Sequence, residues 1–278
     1  MEARLIGRSH QCDFPDTIGQ LPECSRSTID TAAASGEIDR QVKEKLASSQ
    51  EIVAVDREKV ASLMPDLILA QDQCEACAVT PGQLQESGIR VLSLAPSTLA
   101  EVWESIAEIA DALDLSSHGR ILVKGLKTRM VDVIAKACVV KHRPSVVCLE
   151  WIDPLMNAGH WIPDMVELGG GSDVLGESGK AAKVLRVQEL IEKNPEILIL
   201  MPCGFDRERT RQESRVLCNR PEWSQLQAVR KRRVFLADGN HYFNRPGPRL
   251  VESMESLAEI LHPKLFSFGW EGKIWERL

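Results

Sequence analysis

Two kinds of residue in this chain could do chemistry, thiols and clustered loop polars. Cys74 and Cys77 form a C-x-x-C, a spacing that suits zinc, an iron-sulfur cluster or thiol exchange. No second pair of cysteines at such spacing completes a ligand set, so a metal would need Cys12 and Cys203, helped by His10, from distant segments. The second kind gathers polar and aromatic side chains in short segments: Arg8, Ser9 and His10; Gln71, Asp72 and Gln73; Trp151, His160 and Trp161; Phe205; and Asn240, Tyr242, Phe243, Asn244 and Arg245. Such a set binds rather than reacts. Amides and a guanidinium fix polar edges, while aromatic rings stack on a flat face or fill the core. His160 either donates to a ligand carboxylate or caps its own helix. No G-x-x-x-x-G-K-[ST] loop, strand-borne G-x-G-x-x-G, serine elbow or H-E-x-x-H occurs, so no catalytic residue and no required cofactor are expected.

The elements that must position these residues follow a repeat. Met64-Pro65-Asp66-Leu67-Ile68-Leu69-Ala70 returns as Asn194-Pro195-Glu196-Ile197-Leu198-Ile199-Leu200, each a helix exit at proline followed by a buried strand. Strands are predicted at 4–7, 51–55, 67–70 and 90–94 in a first lobe (1–95), with helices at 57–64 and 81–87. A helical connection (96–142) opens on a Thr98–Glu101 capping box and continues in a helix from Ile121 to Val140. The second lobe (143–262) has strands at 145–150, 197–201 and 234–237, a charged insertion at 206–215 and a last helix at 250–261. An aromatic tail (263–278) is expected to pack back on a lobe. Alternating strands and helices predict parallel sheets, with the candidate segments at the strands' carboxyl ends around a shared cleft. Alignment of the halves leaves the block at 145–170 without a counterpart, so the first lobe is expected to lack its first strand and helix.

Composition narrows the function. The 278 residues carry a net charge of -6, which argues against nucleic acid; Arg230-Lys231-Arg232-Arg233 reads as a solvated helix end. No apolar stretch is long enough to span a bilayer, and the start lacks the profile of a secretory leader. The eight cysteines are scattered, as expected of reduced thiols. As the sequence stands, a cytoplasmic location is expected, and a monomer.

The segments Gly7-Arg8-Ser9-His10-Gln11-Cys12-Asp13-Phe14-Pro15, Pro65-Asp66-Leu67-Ile68-Leu69, Gln71-Asp72-Gln73-Cys74-Glu75-Ala76-Cys77 and Asn244-Arg245-Pro246-Gly247-Pro248-Arg249 resemble those of the substrate-binding proteins of cobalamin and iron-chelate ABC transporters, in particular the cobalamin-binding branch. The resemblance covers nearly the whole chain. It implies an α/β fold of two Rossmann-like lobes with parallel sheets joined by a long helix, a corrinoid or related metal chelate held between the lobes, and an ABC-transporter permease as partner. Members usually carry an export signal and an additional first strand and helix, so a periplasmic or extracellular location follows if residues precede this amino terminus. The competing expectation is a cytosolic metal- or iron-sulfur-binding redox protein using Cys12, Cys74, Cys77 and Cys203.

Overall fold

The structure, a computed structural model, describes residues 4–72, Leu84 and residues 88–278. The chain divides into two compact units, Met1–Ala95 and Pro96–Leu278.

In the first unit Arg4–Gly7 is not a strand. The first strand-like pairing is at Arg8, whose N–H donates to Pro22 O at 3.0 Å and whose carbonyl accepts from Cys24 N at 2.8 Å. A strand needs a continuous ladder, and Leu5 and Ile6 stay exposed instead. Strand β1 (Ser25–Ser27), absent from the sequence reading, pairs antiparallel with β2 (Val53–Val55). The sheets are therefore mixed rather than all parallel. Between these strands runs α1 (Ser35–Ala47), which seats Ile38. Its polar character hid it: Arg40 pairs with Glu37 and Glu44 along an exposed face.

After β2, the Asp56 carboxylate accepts from Lys59 N at 2.9 Å and starts α2 (Arg57–Leu63). Then β3 (Leu67–Gln71) pairs parallel with β4 (Arg90–Leu94). The helix expected at 81–87 falls, apart from Leu84, outside the described residues.

The second unit opens with a helical hairpin. Glu101 N donates to Thr98 Oγ1 at 3.2 Å and Thr98 N to Glu101 Oε2 at 2.9 Å, closing the capping box of α3 (Leu99–Ala112). Helix α4 (Ser116–Ala137) begins earlier than expected, and its Gly119 lies against α3, where a Cβ would come within 2.4 Å of Ala110 Cβ.

The sheet of this unit is six-stranded and mixed. Strand β5 (Ser145–Trp151) pairs parallel with β8 (Ile197–Leu200), and β8 with β9 (Val234–Ala237). Short strands β6 (Met156–Asn157) and β7 (Ser172–Asp173) flank β5. Alternation places Val146, Cys148, Ile197 and Ile199 in one core and Val147, Leu149, Leu198 and Leu200 in another, so both faces are covered. Helices α5 (Ile162–Leu168), α6 (Val187–Lys193), α7 (Arg207–Cys218), α8 (Gln227–Arg230) and α9 (Leu250–Leu261) complete the unit. The charged insertion is thus a helix, α7. Asp206 caps it through Arg209 N at 2.8 Å, and it buries Thr210, Ser214 and Leu217 at helical spacing.

The repeat survives in backbone detail. Met64 after α2 and Asn194 after α6 both adopt left-handed conformations (φ 47 and 41°) immediately before a proline and a strand. The aromatic tail buries Phe266 and ends in β10 (Trp275–Arg277), which adds antiparallel to β9.

Candidate functional site

In the first unit the segment from Arg8 to Cys12 closes on itself. Arg8 Nη1 donates to Ser9 O at 3.1 Å and Cys12 O at 3.3 Å, while Nη2 pairs with Glu23 at 3.0 Å. The Ser9 hydroxyl donates to Cys12 Sγ at 3.2 Å. His10 Nδ1 lies 2.8 Å from Oγ of the buried Ser25 on β1, and burial pushes the imidazole below its ordinary pKa, opposed by the charge of Glu23. The ring is therefore neutral near pH 7. Gln71 and Asp72 are exposed at the carboxyl end of β3, on a different sheet from β1. Gln73, Cys74 and Cys77 lie outside the described residues.

In the second unit the loops after β5, β8 and β9 are joined in sequence. Cys203 N donates to Glu150 O at 3.0 Å, and Asn240 N to Phe205 O at 3.0 Å. Gly239 allows this approach, since a Cβ there would lie 2.1 Å from Pro202 O. Half-buried Trp151 leans on Phe205 with ring centroids 5.2 Å apart, and the Arg209 guanidinium lies 4.7 Å from the Phe205 ring centre. Arg245 Nη2 donates to Asn240 Oδ1 at 2.8 Å. At the carboxyl ends of three parallel strands the fold thus gathers Trp151, Phe205, Asn240, Arg245 and Arg209. Of these, Phe205 is itself buried, so the accessible ring is that of Trp151.

Other expected members serve the framework. Phe243 and Trp161 are core side chains, not stacking surfaces: both are buried, and Trp161 Nε1 donates to Phe243 O at 2.8 Å. Asn244 Nδ2 donates to Met201 O at 2.8 Å and Gly239 O at 3.1 Å, so its amide braces backbone. Tyr242 faces Arg249, 5.4 Å from its ring centre. His160 does not cap α5. It stands before Trp161 at φ 53°, its backbone bonded to Lys180 and Gly179, and burial lowers its pKa. Its Nδ1 is buried without a partner among the described residues.

Sequence reasoning missed His241, Asp238, Glu150 and Arg209. His241 N and Nδ1 lie 2.8 Å from the two oxygens of Asp238, and its Nε2 lies 3.2 Å from Asn240 Nδ2. With Nδ1 donating to the carboxylate, Nε2 is the acceptor nitrogen. The signal was present: an aspartate at a strand end, three residues before a histidine, is a capping arrangement. Glu150 Oε2 accepts from Gly159 N at 3.1 Å and holds the segment before His160.

Among the described residues no group of three or more His, Cys, Asp or Glu is placed to hold a metal ion. Cys12 is exposed and Cys203 half-buried.

Comparison with known proteins identifies the family. The model of the periplasmic binding protein family matches residues 29–240. The chain is 30% identical over 226 residues to an uncharacterized ABC transporter substrate-binding lipoprotein of Bacillus subtilis, covering 76% of this chain and 67% of the relative. It is 21% identical over 229 residues to a vitamin B12-binding protein of Vibrio cholerae, covering 78% and 75%. A periplasmic heme-binding protein from Pseudomonas aeruginosa shares the fold, with a TM-score of 0.72 at 17% identity over 98% of this chain and 89% of that one. Proteins of this kind bind small molecules and act with ABC-transporter permeases; they are not enzymes. The chain belongs to the periplasmic binding protein family, the ligand-binding component of ABC transporters.

Proposed function

We propose that the chain binds a corrinoid, cobalamin first, on the joined loops of its second unit. The observation that carries this is the half-buried Trp151 ring, backed by the buried Phe205, beside Asn240 and Arg245 and fixed by backbone bonds between successive loops. A corrin ring is broad and flat, with amides around its rim. Trp151 gives it a face, Asn240 both donates and accepts at the rim, and Arg245 adds donors. The resemblance to the vitamin B12-binding protein of Vibrio cholerae supports the same ligand. A permease partner belongs to this reading, because the bound ligand has no chemistry to undergo here.

Titration of the purified chain with cyanocobalamin, followed by tryptophan quenching and calorimetry, tests the proposal. Trp151→Ala is expected to weaken binding by about tenfold, or about 1.4 kcal/mol, and Asn240→Ala by less. Unchanged affinity in Trp151→Ala would overturn the assignment.

One observation favours a second reading. The Asp238–His241 pair orients a ring nitrogen of the kind that ligates iron in a planar chelate once its bond to the Asn240 amide is released. Titration with hemin separates the two. A shifted visible band lost in His241→Ala would move the assignment to heme.

A further inference from the structure

The outer face of the α3–α4 hairpin carries opposite charges on its two helices. Helix α3 exposes Glu104, Glu108 and Asp111, and α4 exposes Arg120, Lys124 and Lys127. Both triplets follow the same spacing, i, i+4 and i+7, which keeps each on one side of its helix. None of the six enters an ion pair among the described residues; Arg120 reaches Ser117 Oγ at 3.3 Å. Beside them lies a groove of about 430 Å³, lined by Ala107, Val123 and Val131 together with the stems of the three basic residues. Ile121 is 72% exposed on the same helix and Val131 57%.

We propose that this face associates with the same face of a second copy of the chain. The argument is charge complementarity in register. The helices run antiparallel with Ala110 level with Gly119, where the two touch. Glu104 is then level with Gly125 and Asp111 with His118, each two residues short of an opposite charge, Lys127 and Arg120 respectively. Two residues are about 3 Å along a helix, well within the reach of a lysine or arginine. A two-fold axis parallel to the hairpin preserves these levels. It brings α3 of one copy alongside α4 of the other, with Glu104 facing Lys127, Glu108 facing Lys124 and Asp111 facing Arg120. The same contacts then form twice, as an isologous dimer requires. A chain carrying both halves of the complement, neither used internally, fits itself better than it fits a partner of one sign. Ile121 and Val131 supply the apolar contact between the ladders.

The face is small. Helix α3 is about 21 Å long at 1.5 Å per residue, and a stable interface buries about 800 Å² on each partner. The dimer is accordingly weak, concentration-dependent and sensitive to salt.

Sedimentation velocity on the full chain, from micromolar to near-millimolar concentration in low salt, tests it. The expected result is a monomer–dimer equilibrium that added salt shifts to monomer. Lys124→Glu/Lys127→Glu and, separately, Glu104→Lys/Glu108→Lys should each be monomeric. A mixture of these two variants should recover the dimer, because each then faces its complement twice. Circular dichroism and melting confirm that both variants are folded, which six exposed positions allow. A wild-type chain monomeric throughout, a dimer indifferent to charge reversal, or variants that fail to recover on mixing would each overturn the proposal.

Discussion

The two units of this chain solve the same construction problem with unequal means. In the second, β5, β8 and β9 are buried on both faces and β10 from the tail closes one flank. Among its described residues the first has two separate two-stranded sheets, and the buried apolar side chains there are Ile18, Ile38, Ile52, Val53, Ala70 and Leu84. Its loop at Arg8–Cys12 is held by polar contacts rather than by a core beneath it. Stability in such a chain is expected to be uneven, with the second unit opening only globally and the first opening locally at lower cost. The difference also bears on binding. Loops that rise from buried parallel strands present a prearranged surface, whereas a loop tied by hydrogen bonds can adapt.

The hardest test of this contrast removes the tie between tail and core. The buried carboxylate of Glu259 on α9 accepts from the backbone N–H groups of Phe268, Gly269 at 2.7 Å and Trp270 at 3.2 Å, and from Trp275 Nε1 at 2.9 Å. Beside it Glu255 binds Arg129 and Trp270 Nε1. Glu259→Ala leaves several buried donors without an acceptor, and roughly 3–5 kcal/mol of stability should be lost. Urea denaturation followed by tryptophan fluorescence reads the loss. Limited proteolysis should then cut between residues 263 and 274. A variant that keeps both wild-type stability and a protected tail would show that β10 is incidental to the second unit.

A smaller effect of opposite sign lies in the same unit. Asp173 sits at the end of β7 with Oδ1 accepting from Leu175 N at 3.1 Å and Gly176 N at 2.6 Å, while Oδ2 is buried without a partner among the described residues. Burial pushes its pKa up to about 6, against those hydrogen bonds and helped by the nearby charge of Glu167. Between about pH 4 and 6 the folded chain holds this proton more firmly than the unfolded chain, so stability from this group is full at the acid end and falls as pH rises. Asp173→Asn keeps the acceptor and removes the charge. It should be more stable than wild type above pH 6 by roughly 2–3 kcal/mol, given about 1.4 kcal/mol per pKa unit, with the gap closing toward pH 4. Melting curves across that range would show it, and a constant gap would mean the carboxylate is not desolvated.

The same contrast explains what could be read from the sequence. Ser145–Glu150 and Ile197–Leu200 announced themselves because strands buried on both faces are continuous apolar runs. The helix exits at Met64–Pro65 and Asn194–Pro195 were legible because proline leaves few alternatives. β1 and α1 were not, because Ser25-Arg26-Ser27 and the charged run from Glu37 to Glu44 have little apolar surface to pattern. Arg4–Gly7 misled for the converse reason: it carries the adjacent apolar pair Leu5-Ile6 like a buried strand but has no ladder to join. At the candidate site, Trp151, Phe205, Asn240 and Arg245 do lie at or after strand ends, yet the pattern could not say which neighbours turn inward. Phe243 and Trp161 point into the core through the π-helical turn at Gly239–Phe243 and the contact with its carbonyl, geometry that pattern alone does not carry.

The smallest expected effect belongs to the first unit. Glu23 is 44% exposed at its pair with Arg8, so its contribution is screened, and Glu23→Gln should cost less than about 1 kcal/mol. Its local consequence is sharper. The carboxylate is the influence that raises the His10 pKa against burial, so removing its charge should lower the imidazole pKa further in an NMR titration. Arg8 would lose its ionic partner while keeping Ser9 O and Cys12 O as acceptors, and amide exchange should speed up at Cys12 and Cys24 and not along β5 or β8. If β5 amides exchange faster as well, opening of the first unit is coupled to the second. If only the loop responds, its hydrogen bonds form a local lock, and the joined loops of the second unit keep their shape whether that lock is closed or open.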